Sequence, residues 1–411
     1  MEQQPFILDA TGGNIHAEAD QLRSLGPAVR VILPGGIPSW YITSHALLKA
    51  LLTNDQVSKD PNQHWPAWMN GEHRDTWLRN WVGVTNMFTA YGPDHRRLRK
   101  LVAPAFTARR TAGMASRVEG ITRTLLDAMA DTPRGGTVDL RAAYAHPLPM
   151  RVICELFGLP EESRDSMARF IERIMDTTIT SEEALAVQAE VRAILADLVA
   201  GKRAEPGEDM TSVLVASRDE DGSHLSEDEL LDTLLLIIGA GHETTVNLIG
   251  NAVHALLTHP EQLRLVRTGA ASWSDVIEET LRWAPSIASL PMRYAVNDIH
   301  VSGGPTIRAG DAILATYAAA GRDAAQYGSS AGEFDITRPA LDHLAFGYGV
   351  HHCLGAPLAR LEAGTALPVL FDRYPELALA APPHGLEPVG SFIADGMRTL
   401  PVRLRPGSSP A

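Results

Sequence analysis

Cysteine is almost missing: 411 residues contain two, Cys154 and Cys353, far apart in the chain. A disulfide framework is therefore not implied, and a reducing cytoplasm is the expected setting. Long apolar runs are lacking too. The most apolar stretch, 230–241, is interrupted by Asp232 and is too short to span a bilayer. The first residues carry no basic segment followed by an apolar one, so no secretory leader is expected. Positive charge is in deficit, with 36 Lys and Arg against 49 Asp and Glu and a formal net charge of −13. That argues against general affinity for nucleic acid or anionic lipid, though not against a local basic patch. There is no internal repeat, no long linker, no glycine-rich phosphate-binding fingerprint after a strand, and no cysteine cluster for an iron–sulfur centre.

What remains is ordinary globular composition, 45% hydrophobic and 21% charged, in a chain long enough for a substantial core. Apolar residues recur at helical spacing over 114–129, 142–157 and 182–203, the second run stopped by Gly158 and Pro160. Ser226 followed by Glu229 has capping-box spacing and opens a long helix to about Thr258. Further helices are expected over 273–283 and 357–373. Residues 29–33 and 39–43, joined through Pro34-Gly35-Gly36, read as a hairpin. Ser44 is placed to cap a helix over 45–52. Short β segments are expected at 292–296, 307 and 313–316. The stretch 53–92 reads as irregular and holds Trp65, Trp68, Trp77 and Trp81, of which the first two are expected to pack it onto the body. Residues 406–411 are expected to fray. The class is mostly α with minor β, and no cut point divides residues 1–411.

The most informative segment is Phe346-Gly347-Tyr348-Gly349-Val350-His351-His352-Cys353-Leu354-Gly355, followed at once by a helix. Glycines permit positive φ and let backbone approach a flat ligand closely. A helix start aims N–H groups and positive potential at the sulfur, which favours a thiolate. A thiolate is a strong axial donor to haem iron. Taken alone the loop also suits a buried structural cysteine. A zinc site of His351, His352 and Cys353 is weaker, because adjacent residues rarely converge on one metal. Cys154 lies in an amphipathic helix and reads as core filling.

The whole loop resembles the cysteine signature of the cytochrome P-450 haem-thiolate monooxygenases, Phe-Gly-x-Gly-x-His-x-Cys-x-Gly, at every specified position. The resemblance extends over nearly the whole chain and is nearest to soluble actinobacterial members acting on natural products. It implies the mostly-α triangular P-450 fold as one domain, haem b as cofactor and Cys353 as its metal ligand. Phe346, Gly347, His351 and Gly355 would cradle the cofactor, and His95, Arg99, Arg293 and His351 would meet its propionates.

In Ala240-Gly241-His242-Glu243-Thr244-Thr245 an acid and an alcohol follow a glycine inside the long helix. A local opening there would admit a ligand and water; the alternative is Thr244 bonding back to its own backbone. The resemblance makes Glu243 and Thr244 the proton-delivery pair. It makes Glu279 and Arg282 a buried structural pair, where spacing alone allows a surface ion pair. Gly321, where Asn is common, and Gly328-Ser329-Ser330 depart from the family's usual meander. The substrate pocket is expected from Trp81, Met87, Phe88, Leu236, Ala240, Thr244, Ile287, Ala288, Leu290, Phe392 and Ile393, mostly apolar as ligand pockets are.

The implied activity uses O2 and two electrons to hydroxylate a medium-to-large apolar organic molecule, such as a polyketide or steroid-like compound. Oxidative ring closure or aryl coupling is the alternative within that chemistry; a non-catalytic haem carrier or sensor is the contrasting class. Lacking any nucleotide fingerprint or iron–sulfur cysteines, the chain is expected to take electrons from a ferredoxin served by a separate reductase. Arg96, Arg97, Lys100, Arg109 and Arg110 form its densest basic stretch and the expected docking surface. Neither nucleic acid nor membrane is an expected partner.

Overall fold

The computed structural model describes residues 5–175, 181–339, 341–382 and 385–405; the tail expected to fray lies outside them. Helices carry most of the fold. Ser226 accepts from Glu229 N–H and Glu229 returns to Ser226 N–H, so both orphan donors are satisfied at the start of the helix Glu227–Thr258. The run expected over 142–157 is in two pieces, a π-type turn Arg141–Ala145 and the helix Pro147–Phe157. Pro147 and Pro149 lack the N–H groups that would join them. Gly158, at φ 67°, ends the second piece in the left-handed conformation.

The larger sheet has six strands in the order Phe6–Ile7, Ala28–Leu33, Ile37–Ile42, Ala312–Thr316, Ser289–Ala295 and Val57–Ser58. The hairpin pairs Leu33 with Ile37 across its turn. Ser44 caps the helix His45–Thr53 by accepting from Leu47 N–H. The segment expected to be irregular contains that last strand and three one-turn helices, Pro61–His64, Pro66–Met69 and Arg79–Val82. Pro61 and Pro66 sit in the first turns of two of them, where a missing N–H costs nothing. Trp65 stacks on Trp68 and on Tyr294 of the sheet, with ring centres 6.1 and 5.2 Å apart.

Buried apolar residues of the long helix are shared between two helical clusters. One joins it to Ala115–Ala128, Pro147–Phe157, Trp273–Trp283 and the last helix, Ala356–Arg373. The other joins its first turns to Gly92–Val102, Arg164–Met175 and Ser181–Ala204. Cys154, 3% exposed, packs in the second cluster, and burial pushes its thiol up. The sheet has its own clusters. No helix among the described residues is long and apolar enough to cross a membrane.

Candidate active site

The loop before the last helix is held by its own backbone. Gly347 N–H donates to Leu344 O at 2.8 Å, Cys353 N–H to Phe346 O at 2.9 Å, and His352 N–H to Gly349 O at 3.0 Å. Gly347 and Gly349 have φ of 70° and 71°. A Cβ on Gly349 would also come within 2.7 Å of Leu52 O, so space and conformation both demand glycine. The N–H groups of Gly355 and Ala356 favour the Cys353 thiolate, as do Arg99 and Arg360, but burial outweighs them and pushes the thiol up. The helix start thus favours the thiolate, as expected, without outweighing burial; a bound metal cation deprotonates such a thiol outright. Arg360 is fixed beneath the loop by two bonds to Glu278, at 2.6 and 2.9 Å, and lies 4.6 Å from the centre of the Phe346 ring.

Cys353 faces a cavity of about 260 Å³. Arg99, Arg293, Phe346, Gly347, His351 and Gly355 also line it. His95 stands one layer back, its ring centre 4.0 Å from that of His351. Burial drives both histidines down, His95 to about 4, so they are neutral at pH 7. Arg99 donates to His352 O at 2.6 Å.

Lys59, absent from the expected site, is 3% exposed and lines the same cavity. Its Nζ has no hydrogen-bond partner and lies 3.5 Å from the centre of the Phe88 ring. Burial, and then Arg293, push its ammonium well down. Arg293, 4% exposed, leaves Nη1 unpaired, and His95 leaves Nε2 unpaired. Buried cations without partners are costly unless an anion meets them. These donors fit the two carboxylates of a haem placed over Cys353.

The long helix runs unbroken past the other side of the cavity. The expected opening at Gly241 is not there: Thr244 Oγ1 donates to Ala240 O at 2.8 Å and Thr245 Oγ1 to Gly241 O at 3.2 Å, the back-bonded arrangement. Thr244 lines the cavity; Glu243 does not. Glu243 instead receives Arg141 at 2.5 Å, while Arg141 also binds Asn247 at 2.8 Å.

Of the expected pocket residues, Met87, Phe88, Leu236, Ala240, Thr244, Ile287 and Leu290 line the cavity. Four do not, which corrects the expected lining. Trp81 donates to Ile174 O at 3.2 Å and tilts against Phe88. Ala288 and Ile393 are fully buried and joined by a backbone bond of 2.7 Å. Phe392 packs edge-on against Trp77. Ser286 and Glu362, not foreseen, also line the cavity, and each has a buried oxygen without a partner.

Glu279 and Arg282 are both 0% exposed and joined by two bonds of 2.7 and 2.6 Å. Arg282 also donates to the carbonyls of Gly321, Ala331 and Glu333, each at 2.7 Å. Asp335 N–H returns to Glu279 at 2.8 Å, so the pair fastens the meander despite its unusual glycines. The basic stretch is less free than its sequence suggests. Arg97 is paired with Glu229, Lys100 with Asp219 at 2.5 Å, and Arg110 donates to Glu208 O. Arg96 and Arg109 are exposed.

A lone cysteine ahead of a helix, facing a largely apolar cavity edged by unpaired buried cations, defines a haem-thiolate protein. The comparisons agree. The cytochrome P450 family model matches residues 186–268 and 273–378. The 2-hydroxy-5-methyl-1-naphthoate 7-hydroxylase of Streptomyces carzinostaticus is 41% identical over 402 residues, 98% of each chain. The vitamin D(3) 25-hydroxylase of Pseudonocardia autotrophica is 38% identical over 99% of this chain and 98% of its own. The solved structure of CYP154A1 from Streptomyces coelicolor A3(2) superposes with a TM-score of 0.91 at 51% identity, covering 97% of this chain and 100% of that one. The chain belongs to the cytochrome P450 family and has its fold. It is a haem-thiolate monooxygenase that uses O2, a small organic substrate and a redox partner.

Proposed function

We propose that this enzyme binds haem b and hydroxylates a medium-to-large, mainly apolar natural product of polyketide or steroid-like kind. Bound haem supplies O2 activation and the transfer of one oxygen atom to a C–H bond. The residues around it bind, orient and exclude water. Cys353 would hold the iron, with Phe346, Gly347 and Gly355 against the ring. Arg99, Arg293, His351 and Lys59 would hold its carboxylates, with His95 supporting His351. The observation that carries this reading is the pair of unpartnered buried donors, Lys59 Nζ and Arg293 Nη1, beside the cavity that Cys353 faces.

Met87, Phe88, Leu236, Ala240, Ile287 and Leu290 make the substrate side mainly apolar, so shape and water exclusion would place the substrate. Thr244 would hold a proton at Oγ1 on that side. Electrons would come from a ferredoxin served by a separate reductase, in the cytoplasm, since the sequence carries no nucleotide fingerprint or cysteine cluster of its own. Residues 1–411 would act as a single domain. A screen of apolar natural products by haem spin-state shift, then product mass, tests the proposal. A product heavier by one oxygen supports it; loss of hydrogen without oxygen gain, or no response to any apolar ligand, overturns it.

A further inference from the structure

A second cavity, a cleft of about 360 Å³, shares no lining residue with the one that Cys353 faces. Small-molecule sites usually span about 300–1,000 Å³, so the cleft is large enough for a small ligand. Distant segments of the chain meet there. Asn251 and His254, three apart on the long helix, line it together. Asn251 Nδ2 ties two neighbouring segments by donating to Ala284 O at 3.1 Å and to Asp395 O at 2.9 Å. His16, on the helix Ile15–Leu25, also lines the cleft, with its Nε2 3.1 Å from Asp395 Oδ2. Arg322 is the one Lys or Arg among the described lining residues. Its Nε donates to Trp283 O at 2.9 Å, and its guanidinium lies 4.7 Å from the centre of the Trp283 ring. Among the described residues, its two terminal nitrogens have no hydrogen bond or ion pair. His16 Nδ1 and His254 Nε2 are also buried without partners.

We propose that this cleft is a second ligand site, separate from the haem cavity, for a small organic monocarboxylate with an apolar body. Arg322 would take the carboxylate on its free fork, because a planar guanidinium offers parallel N–H groups to both oxygens. The ring stack and the Nε bond hold that fork in place before a ligand arrives, which lowers the ordering cost of binding. Burial is the main cause that lowers the guanidinium to about 10. It is still charged at pH 7, and a bound anion would offset its lost solvation. Ile15, Leu386, Pro388 and Met397 would cover the apolar body. Asp395 limits the charge. It lies within electrostatic reach of Arg322 but is hydrogen-bonded to His16, which leaves Arg322 free for one incoming negative charge. A dianion such as phosphate would be opposed by Asp395. Asp395 N–H donates to Ser286 O at 3.1 Å, and Ser286 lines the haem cavity, so the two sites adjoin without merging.

The test uses holoenzyme and para-fluorobenzoate, followed by fluorine NMR. The parent should broaden the probe's line saturably, and equally so when phenylimidazole occupies the haem cavity. The neutral para-fluorobenzamide, of the same shape, should bind about tenfold more weakly, and inorganic phosphate should not displace the probe. R322Q should weaken probe binding by about tenfold or more, the usual worth of a charge-assisted pair, and should bind acid and amide alike. Its thiolate-type spectrum should stay that of the parent. Should R322Q fail to fold, A17W decides: Ala17 is exposed and lines the cleft, so an indole there should fill it and abolish binding without disturbing the core. Unchanged binding in R322Q or A17W, loss of the broadening on adding phenylimidazole, or no saturable broadening in the parent overturns the site. Displacement of the probe by phosphate overturns the monocarboxylate class.

Discussion

Lys59→Met separates a cofactor ligand from a structural lysine, because the two roles predict opposite signs. In the folded chain Lys59 Nζ is buried without a partner, with Arg293 adding repulsion. An unsatisfied buried group costs about 1–3 kcal/mol, so removing it should stabilise the haem-free protein by about that amount. The pH dependence follows. The ammonium is held well below its ordinary range in the fold, so the unfolded chain binds more protons over the interval between the two values. Stability of the haem-free parent is therefore greatest above the unfolded value, 10.5, and falls as pH drops below it. Lys59→Met removes that slope. With haem bound the sign reverses. A charge-assisted bond to a carboxylate contributes about 1.5–3 kcal/mol, so losing it should weaken haem binding by roughly 10- to 150-fold. Urea unfolding of haem-free protein and haem transfer to a scavenging apoprotein measure the two quantities. Equal haem retention in both proteins, or a less stable haem-free variant, would refute the reasoning.

Cys353→Ser should abolish the thiolate-type spectrum of the reduced carbon monoxide complex while far-ultraviolet circular dichroism stays near that of the parent; an unchanged spectrum would remove Cys353 as ligand. Thr244→Ala should keep haem and substrate affinity but divert reducing equivalents to peroxide, since the lost hydroxyl bonds only within its own helix; unchanged coupling would dismiss it. For ferredoxin docking, Arg96→Glu with Arg109→Glu should slow first-electron transfer and flatten its salt dependence, whereas Arg97→Glu should chiefly break the tie to Glu229. Stopped-flow reduction at several ionic strengths would place the docking face elsewhere if the double variant matched the parent.

The parts of this protein legible in its sequence are those fixed by local chemistry. The capping box at Ser226 and the glycines around Cys353 each act over a few residues, whereas the burial of Glu279 and Arg282 is implied by the family resemblance and not by their spacing. What escaped depends on pairing between distant segments. Lys59 follows a two-residue strand too short to show periodicity. Only the pairing of Val57 with Ala295 and Ser58 with Tyr294 carries it towards Arg293. Phe392 and Ile393, expected in the pocket, turn towards Trp77 and Ala288 instead, because alternation in an irregular segment does not reveal which side faces a cavity. Arg97 and Lys100 looked free because their partners, Glu229 and Asp219, lie more than a hundred positions on.

Some of the unpaired buried groups gather at one place. Lys59, Arg293, Ser286 and Glu362 are buried polar groups with unpaired atoms, and all four line the cavity that Cys353 faces. Arg282 shows the contrast: it is wholly buried but spends its donors on Glu279 and three carbonyls. Four such groups around one cavity, two of them cationic, mark it as a place for a ligand. The chemistry of the four also differs. Lys59 and Arg293 ask for an anion, whereas Ser286 and Glu362 can exchange hydrogen bonds with neutral water. Substituting Lys59 or Arg293 should therefore weaken haem retention, whereas substituting Ser286 should leave haem transfer to a scavenging apoprotein unmoved.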